Sequence, residues 1–159
     1  MSAVTTMTRD EILAFAQELA AGQLGGTLAT AHSEDGTPYV TFVLFHLRRD
    51  GRVLFGSAEA PQHTRNLTAT PESSFLIDNR EAVKADWASF HRIVIEGSAA
   101  EVAKDAPSYA AYLEELRAKN AMAAAFTERG KLFCLEPRRM IVMKGLEPVR
   151  HVVDFPQGG

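Results

Sequence analysis

The chain has 159 residues, of which 46% are apolar and 23% are charged, an ordinary composition for one globular domain with a sizeable core. Its formal net charge is −3, and its basic residues never occur in runs longer than two. These properties exclude a general nucleic-acid-binding surface, because the phosphate backbone requires a clustered basic face.

The first element that the sequence predicts is a helix that extends to about residue 22. Thr8 and Glu11 have the three-residue spacing of a capping box. Apolar residues then recur at helical spacing, at Ile12, Leu13, Phe15, Ala16, Leu19 and Ala20. The pair Gly25-Gly26 ends this helical segment.

Three β-strands are predicted next, at residues 26–32, 38–47 and 52–57. They are separated by the sequences SEDG and RRDG, whose glycine and polar residues are typical of tight turns. The segment 26–57 is therefore predicted to be an antiparallel meander. The strand at 38–47 is apolar on both faces and needs a cover on each side. In a chain of this size the second cover is often another subunit, so this strand indicates a homodimer.

The rest of the chain shows no alternation of strand and helix of the βαβ kind. A short helix at 61–70 is bounded by Pro61 and Pro71. The other predicted elements are a strand at 73–78, a loop at 79–90, a strand at 91–102 that bends at Gly97, helices from about 105 and at 121–129, strands at 131–137 and 139–145, and a candidate strand at 148–155.

About seven strands, joined mostly as meanders, and three or four helices predict a mainly β (α+β) fold, in which an antiparallel barrel carries helices on its outside. The chain is expected to form a single domain over residues 1–159. Its predicted parts are the N-terminal helix at 1–25, the barrel core at 26–102, helices at 103–130 and closing strands at 131–155.

Residues 61–71, PQHTRNLTATP, carry four consecutive polar side chains on one short helical turn. A helix N-terminus presents unpaired N–H groups and the positive end of the macrodipole, which makes it an anion site. Ser57, His63 and Thr64 add hydroxyl and imidazole donors. Arg65 adds a guanidinium group suited to phosphate oxygens. Local chemistry alone leaves two interpretations open, which are a phosphate site and a solvated helix that connects two strands.

Four segments follow one another along the chain: GTPYVTFVLFHLRRDGRVLFGS, HTRNL, TPESSFLID and RIVIEGSAAEV. Their order and spacing, over about residues 24–102, resemble the FMN-binding split-barrel superfamily, which contains pyridoxamine 5′-phosphate oxidase. The resemblance implies a split β-barrel that forms a homodimer with FMN at the subunit interface. It also implies an FMN-dependent oxidoreductase acting on a small molecule, in which the cofactor carries the redox chemistry.

Carried over position by position, the resemblance places these residues at the cofactor: Thr41, Val43, Leu44, Phe45, His46, Phe55, Gly56, Ser57, Gln62, His63 and Arg92. The donor chemistry of the helix start adds Thr64 and Arg65 to this set. The phosphate is expected at Ser57 and at residues 63–65, and the flavin ring edge at the backbone of residues 43–45. Arg92 is expected near the ring or the phosphate from the neighbouring region.

The sequence departs from the oxidase at several of these positions. Thr41, His46 and Gln62 stand where the oxidase has positively charged side chains, although Arg65 and Arg92 restore positive charge nearby. The oxidase holds pyridoxal phosphate with a C-terminal Arg-x-His segment, and RHVVDF does not match that segment. Vitamin B6 synthesis is therefore not assigned.

Two alternatives keep the fold and change the cofactor. The RNL triplet at 65–67 also resembles the branch of the superfamily that uses the deazaflavin F420, whose long anionic tail calls for more positive charge than the predicted pocket has. A haem- or flavin-binding protein without turnover is the other alternative, with His63, His91 and His151 as candidate haem ligands. No Ser-His or Cys-His pair identifies a catalytic residue, and the substrate and electron donor are not specified by the sequence.

Several further features have ordinary structural interpretations. Cys134 is expected to be a small buried residue, and no Cys/His spacing predicts a metal site. Trp87 is expected to anchor its loop in the core, and His151 to be an exposed histidine near the end of the chain. No stretch approaches the ~20 apolar residues that span a bilayer, and no signal peptide is recognised, so a cytoplasmic protein with no membrane partner is expected.

Overall fold

The structure is a computed structural model, and it describes residues 5–58 and 61–157. The helices are α1 (Arg9–Ala21), α2 (Gln62–Ala69), α3 (Arg80–Val83), α4 (Tyr109–Lys119) and α5 (Ala121–Arg129), with a 3-10 helix at Trp87–Ser89. The strands are β1 (Gly25–Ala31), β2 (Pro38–Leu47), β3 (Val53–Ser57), β4 (Glu72–Asp78), β5 (His91–Val102), β6 (Lys131–Lys144) and β7 (Arg150–Asp154).

These strands form one antiparallel sheet that closes on itself. Neighbouring strands follow the order β3-β2-β1-β4-β5-β6-β7, and a further pairing between β3 and β6 closes the first six strands into a barrel. One edge of β6 is shared, since its first half pairs with β3 and its second half with β7. The predicted fold class, a mainly β antiparallel barrel with helices outside it, is confirmed, as is the predicted meander of β1, β2 and β3.

The barrel core is built around phenylalanine rings. The ring centroids of Phe45 and Phe75 lie 5.1 Å apart, and those of Phe55 and Phe133 lie 5.5 Å apart. Because successive side chains of a strand point to opposite faces, β2 buries Phe45 in the barrel and places His46 on the outside. Aromatic side chains of this size contribute much of the apolar area that stabilises a small domain.

Helices α1 and α2 cover opposite ends of the barrel, here called the α1 end and the α2 end. At the α1 end, Phe15 packs edge-on against His91, the first residue of β5, with ring centroids 5.3 Å apart. At the α2 end, Pro71 follows the helix and its carbonyl oxygen accepts a hydrogen bond from Ala99, near the far end of β5. The predicted capping box of α1 is confirmed, with Thr8 and Glu11 exchanging side-chain and backbone hydrogen bonds.

The two strands predicted at 131–137 and 139–145 are one continuous strand, β6, so that prediction was wrong. Pro137 suggested a break because it has no N–H to donate. In the barrel, Pro137 pairs with Gly97 and Arg139 pairs with Glu96, so Arg138 is an extra residue in a β-bulge. A Cβ on Gly97 would lie 2.0 Å from the Glu136 carbonyl oxygen, which explains the glycine at the predicted bend.

The segment 79–90 contains α3 and the 3-10 helix rather than only loop. Side chains shape it locally: the Asn79 amide accepts from the His91 N–H and donates to the Ser89 carbonyl oxygen. Such side-chain bonds to the backbone replace the apolar periodicity that a longer helix would show. Trp87 is 64% exposed and does not anchor the segment in the core, contrary to the expectation.

His151 is also placed differently from the expectation of an exposed histidine. It lies on β7 at the α1 end and is only 2% exposed. Its Nδ1 accepts a hydrogen bond of 3.1 Å from the Met7 backbone N–H, and its Nε2 lies 3.6 Å from a carboxylate oxygen of Glu147. The side chain therefore joins the chain segment before α1 to the last strand.

Two further findings complete the description of residues 5–58 and 61–157. None of their helices combines the length and the apolar character needed to cross a lipid bilayer. Cys134 is half-buried in β6, and burial raises the pKa of its thiol to about 11, so the protonated form dominates at neutral pH.

Candidate functional site at the start of helix α2

Among the residues that the structure describes, no side chain caps the first turn of α2. Pro61 is the N-cap residue in extended conformation, and the N–H groups of Thr64 and Arg65 donate to its carbonyl oxygen. The N–H groups of the preceding residues, Gln62 and His63, have no acceptor within the helix, as at every helix start. An uncapped helix start offers these donors, together with the positive end of the helix dipole, to a bound anion.

Next to this helix start, Ser57, His63 and Thr64 form a cluster that we call the hydroxyl cluster. The Ser57 Oγ lies 2.6 Å from His63 Nε2 and is also hydrogen-bonded to Thr64 Oγ1, which donates to the Ala58 carbonyl oxygen at 2.8 Å. Burial lowers the pKa of His63 below its usual value, so the neutral imidazole dominates at neutral pH. The cluster joins the end of β3 to the first turn of α2.

Ser57 and His63 form a hydrogen-bonded pair that sequence reasoning did not identify as a Ser-His pair. The two residues are six positions apart and meet because the end of β3 and the first turn of α2 lie side by side. Ser57 is buried, and its hydroxyl is hydrogen-bonded to both His63 and Thr64. The Ser57 hydroxyl is therefore engaged inside the protein and is not an exposed nucleophile.

The four polar residues at 63–66 do not all face the same way. Arg65 is exposed, and its guanidinium donates to the Gln62 side-chain oxygen. Asn66 is 0% exposed and faces the barrel. Its Oδ1 accepts from the Ser33 backbone N–H at 2.8 Å, and its Nδ2 donates to the Thr30 hydroxyl at 2.9 Å. Asn66 therefore fixes α2 to the end of β1, whereas His63 and Arg65 reach the surface around the helix start and Thr64 is buried in the hydroxyl cluster.

Strand β2 leaves part of its backbone open beside this site. One edge of β2 pairs with β1 over Pro38–Leu44, whereas β3 pairs with the other edge only over Phe45–Leu47. Among the described residues, the stretch of that second edge before Phe45 therefore has no strand partner. Its N–H and C=O groups can bind the polar edge of a planar ligand, which is the role predicted for the backbone of this strand.

Several of the predicted cofactor residues can contribute only their backbone. Val43, Phe45 and Phe55 have side chains in the barrel core. Gly56 is explained by packing, because a Cβ there would lie 1.9 Å from the Thr127 hydroxyl of α5. Of the remaining positions on β2, Thr41 and Leu44 are half-buried, and Leu44 packs against a cluster formed with α4 and α5.

His46 and Arg92 are separated from the hydroxyl cluster. His46 faces α4, where its Nε2 lies 3.4 Å from a carboxylate oxygen of Glu115. Burial lowers the pKa of His46, and this effect exceeds the raising effect of the Glu115 carboxylate. Arg92 of β5 pairs with Asp78, the last residue of β4. Ser73, near the start of β4, pairs with Thr30 at the α2 end. Ser73 and Asp78 are five positions apart along β4, which corresponds to about 17 Å at the usual rise of a strand. A single chain therefore does not bring Arg92 to the hydroxyl cluster.

Sequence reasoning found the hydroxyl cluster but missed the opening in β2 and the inward role of Asn66. The cluster residues are close in sequence, so their proximity could be inferred from a short helix after a strand. The opening depends on how far β3 pairs along β2, and no local signal marks that length. Among the described residues, no three His, Cys, Asp or Glu side chains are grouped closely enough to hold a metal ion.

The comparisons with known proteins agree with this architecture. The sequence model of the pyridoxamine 5′-phosphate oxidase family matches residues 10–144. No curated protein sequence shows a significant match. A haem-binding protein from Mycobacterium smegmatis superposes with a TM-score of 0.77 at 23% identity, covering 95% of this chain and 60% of its own length.

Two further solved structures have the same fold. HutZ, a haem storage protein from Vibrio cholerae, superposes with a TM-score of 0.65 at 20% identity, covering 78% of this chain and 88% of its own. An FAD-binding protein from Mesorhizobium loti superposes with a TM-score of 0.64 at 16% identity, covering 89% of this chain and 97% of its own. Structures with this barrel thus include haem- and flavin-binding proteins. From the sequence match and the closed six-stranded barrel, we conclude that the chain belongs to the pyridoxamine 5′-phosphate oxidase family.

Proposed function

We propose that the protein is an FMN-dependent oxidoreductase of the pyridoxamine 5′-phosphate oxidase family that acts on a small molecule. The observation that carries the proposal is the uncapped start of α2, which lies beside the hydroxyl cluster and the exposed guanidinium of Arg65. A phosphate group requires several donors that converge on one position, and hydroxyl, imidazole, guanidinium and helix N–H groups are all suited to it. The residues present therefore fit the phosphate of FMN.

In this proposal each part of the site has one task. Arg65 donates hydrogen bonds to the phosphate, and His63 donates from its other ring nitrogen once the phosphate charge favours the imidazolium form. Ser57 and Thr64 hold the His63 ring and the helix start in place. The open edge of β2 before Phe45 orients the flavin ring through backbone groups. The bound flavin supplies the transfer of hydride or electrons, so the protein needs to bind, orient and shield it rather than provide a nucleophile.

We further propose that the protein works as a homodimer with the cofactor at the subunit interface. On the outer face of β2, Val40 is 64% exposed and Phe42 is 62% exposed. The Phe42 ring lies over Gly25 of β1, where a Cβ would come within 2.2 Å of the ring. Leu24 extends the same apolar surface. Adjacent exposed apolar side chains of this size are typical of an interaction surface.

Replacing Phe42 by aspartate is expected to convert the dimer to a monomer, because a carboxylate would be buried without a partner in the interface. Light scattering coupled to size exclusion measures the change in mass. Leu146→Asp is the matched control, since Leu146 is also exposed but lies in the turn between β6 and β7. A Phe42→Asp variant that keeps the wild-type dimer mass, or a monomeric wild type, would contradict this part of the proposal.

Haem binding without turnover is the second candidate function. It is favoured by the structural similarity to haem-binding proteins from Mycobacterium smegmatis and Vibrio cholerae. His63 is half-buried at the surface of the site, whereas His151 is buried and already accepts a hydrogen bond from Met7. His63 is therefore the better candidate for a haem ligand. The F420 alternative is less favoured, because Arg65 is the single cation of α2.

An absorbance titration tests the choice of cofactor. The purified protein is mixed separately with FMN, F420 and haem. We expect FMN to give a bound flavin spectrum with bands near ~450 nm and quenched fluorescence, because the flavin is transferred from water into the site. A spectrum that changes only with F420 or only with haem would replace FMN by that cofactor. If none of the three binds, the assignment as a flavin enzyme is wrong.

A further inference from the structure

A cavity lies on the outside of the barrel. It is bounded by α1, by α4, and by the end of β2 together with the turn that follows it. Its volume is about 750 Å³, which is large enough for a small organic ligand. The polar groups that line it include His46, Arg48, Arg49, Glu115 and Lys119. The hydroxyl cluster does not contribute to this lining, so the cavity is distinct from the proposed phosphate site.

Lys119 is the unusual group in this cavity. Its ammonium nitrogen lies 3.6 Å from the centroid of the Phe45 ring and donates to the Ala20 carbonyl oxygen at 3.1 Å. Burial lowers the pKa of Lys119 from 10.5 to about 8. The fraction of neutral amine at pH 7 is thereby increased about 300-fold, since each pKa unit changes the ratio tenfold. A neutral amine at the wall of a cavity is a nucleophile for carbonyl carbon.

The carboxylates of the cavity are already paired with arginine. Glu115 accepts hydrogen bonds from the Arg48 guanidinium at 3.0 and 3.3 Å. Asp50 lies 2.6 Å from nitrogen atoms of both Arg48 and Arg52. Within the part of the chain that the structure describes, Lys119 and Arg49 form no salt bridge, and Arg49 is exposed beside the cavity. The cavity therefore carries positive charge that an anionic ligand can neutralise.

We propose that this cavity binds a small carboxylate that also carries a carbonyl group, such as a 2-oxo acid, and that the Lys119 amine captures the carbonyl carbon as an imine. The nitrogen lone pair forms the C–N bond while the carbonyl π electrons move to oxygen. A proton then passes from nitrogen to that oxygen, and loss of one water molecule leaves the C=N bond. The net reaction joins amine and carbonyl compound with release of water, and it needs no oxidant or reductant.

Two neighbouring groups are suited to assist this step. Arg49 is positioned to bind the carboxylate of the ligand. His46 and Lys119 line the same cavity. Burial lowers the pKa of His46, Glu115 raises it, and the charge of Lys119 lowers it again. A neutral imidazole held beside Glu115 can carry the proton between nitrogen and oxygen. This site does not depend on bound flavin.

Reductive trapping tests the proposal on the full chain, before and after addition of FMN. The protein is incubated with pyruvate and cyanoborohydride, which reduces an imine to a stable amine, and the labelled peptides are identified by mass spectrometry. We expect Lys119 to be labelled at least about 10-fold faster than any other of the five lysines, with saturation in pyruvate and an apparent pKa near 8. Arg49→Ala is expected to weaken saturation by pyruvate but not labelling by uncharged propanal.

Matched variants make the outcome decisive. Lys119→Arg keeps a cation above the Phe45 ring and should abolish the label, and Lys119→Met serves if that variant does not fold. Lys144→Arg is the control and should keep the label on Lys119. The Lys144 ammonium also lies over a ring, at 5.1 Å from the Phe15 centroid, but Lys144 does not line the cavity. Labelling of all five lysines at similar rates, or no label on Lys119 in the folded protein, would overturn the proposal. Either result leaves the FMN titration unaffected.

Discussion

Replacing His63 and Arg65 together by alanine is expected to raise the dissociation constant for FMN about 100-fold. The two side chains lie at the uncapped start of α2, where each is expected to donate a hydrogen bond to the flavin phosphate. Hydrogen bonds to charged groups contribute about 1.5 kcal/mol or somewhat more each, and a loss of ~2.7 kcal/mol corresponds to this change in affinity. Fluorescence titration of FMN measures it directly.

The double variant is chosen so that the fold is preserved. Arg65 is exposed and His63 is half-buried, whereas Ser57 and Thr64 are buried and their removal would also change stability. Arg150→Ala is the matched control, because it removes an exposed arginine of β7 and should leave the affinity for FMN unchanged. If the folded double variant binds FMN as tightly as the wild type, the phosphate does not lie at the start of α2.

Replacing Asn66 by alanine is expected to lower the free energy of unfolding by about 2–3 kcal/mol. The variant leaves the Ser33 N–H and the Thr30 hydroxyl without their partner inside the protein, and a buried polar group without a hydrogen bond costs more than an exposed one. For a domain of this size the melting temperature should fall by roughly 5–10 °C. Thermal and urea unfolding measure both quantities.

Gln62→Ala is the control for Asn66→Ala. The Gln62 amide also donates to Asn66 Oδ1, at 2.8 Å, but its side chain is only half-buried. Water can replace it, so the expected loss is below about 1 kcal/mol. Equal stability of Asn66→Ala and wild type would mean that α2 is fixed to the barrel by other contacts.

The parts of the fold that the sequence predicted correctly depend on neighbours along the chain. The capping box of Thr8 and Glu11 and the tight turns around β2 are local, because the interacting groups are only a few residues apart. The bounds of β2 agree with the sequence for the same reason. The hydroxyl cluster could also be predicted from the sequence, since Ser57 and residues 63–64 lie on consecutive elements.

The parts that the sequence did not determine depend on contacts between distant segments. Pro137 ends a strand by local rules, yet β6 continues through it because the bulge opposite Gly97 absorbs the extra residue. His151 is polar and near the end of the chain, yet it is buried because Met7, 144 residues away, donates to it.

The candidate site shows the same division. The residue types HTRN at a helix start are compatible with an anion site or with a solvated turn, and it is the resemblance to the split-barrel superfamily that favours the anion site. Only the closed barrel decides that Asn66 faces inward to Thr30, that Arg92 lies at the opposite end of β4 from Ser73, and that β2 has an open edge before Phe45. A short sequence determines backbone preference and donor chemistry, because both are properties of neighbouring residues. Strand register and barrel closure determine which donors converge, because they are set by hydrogen bonds between segments far apart in the chain.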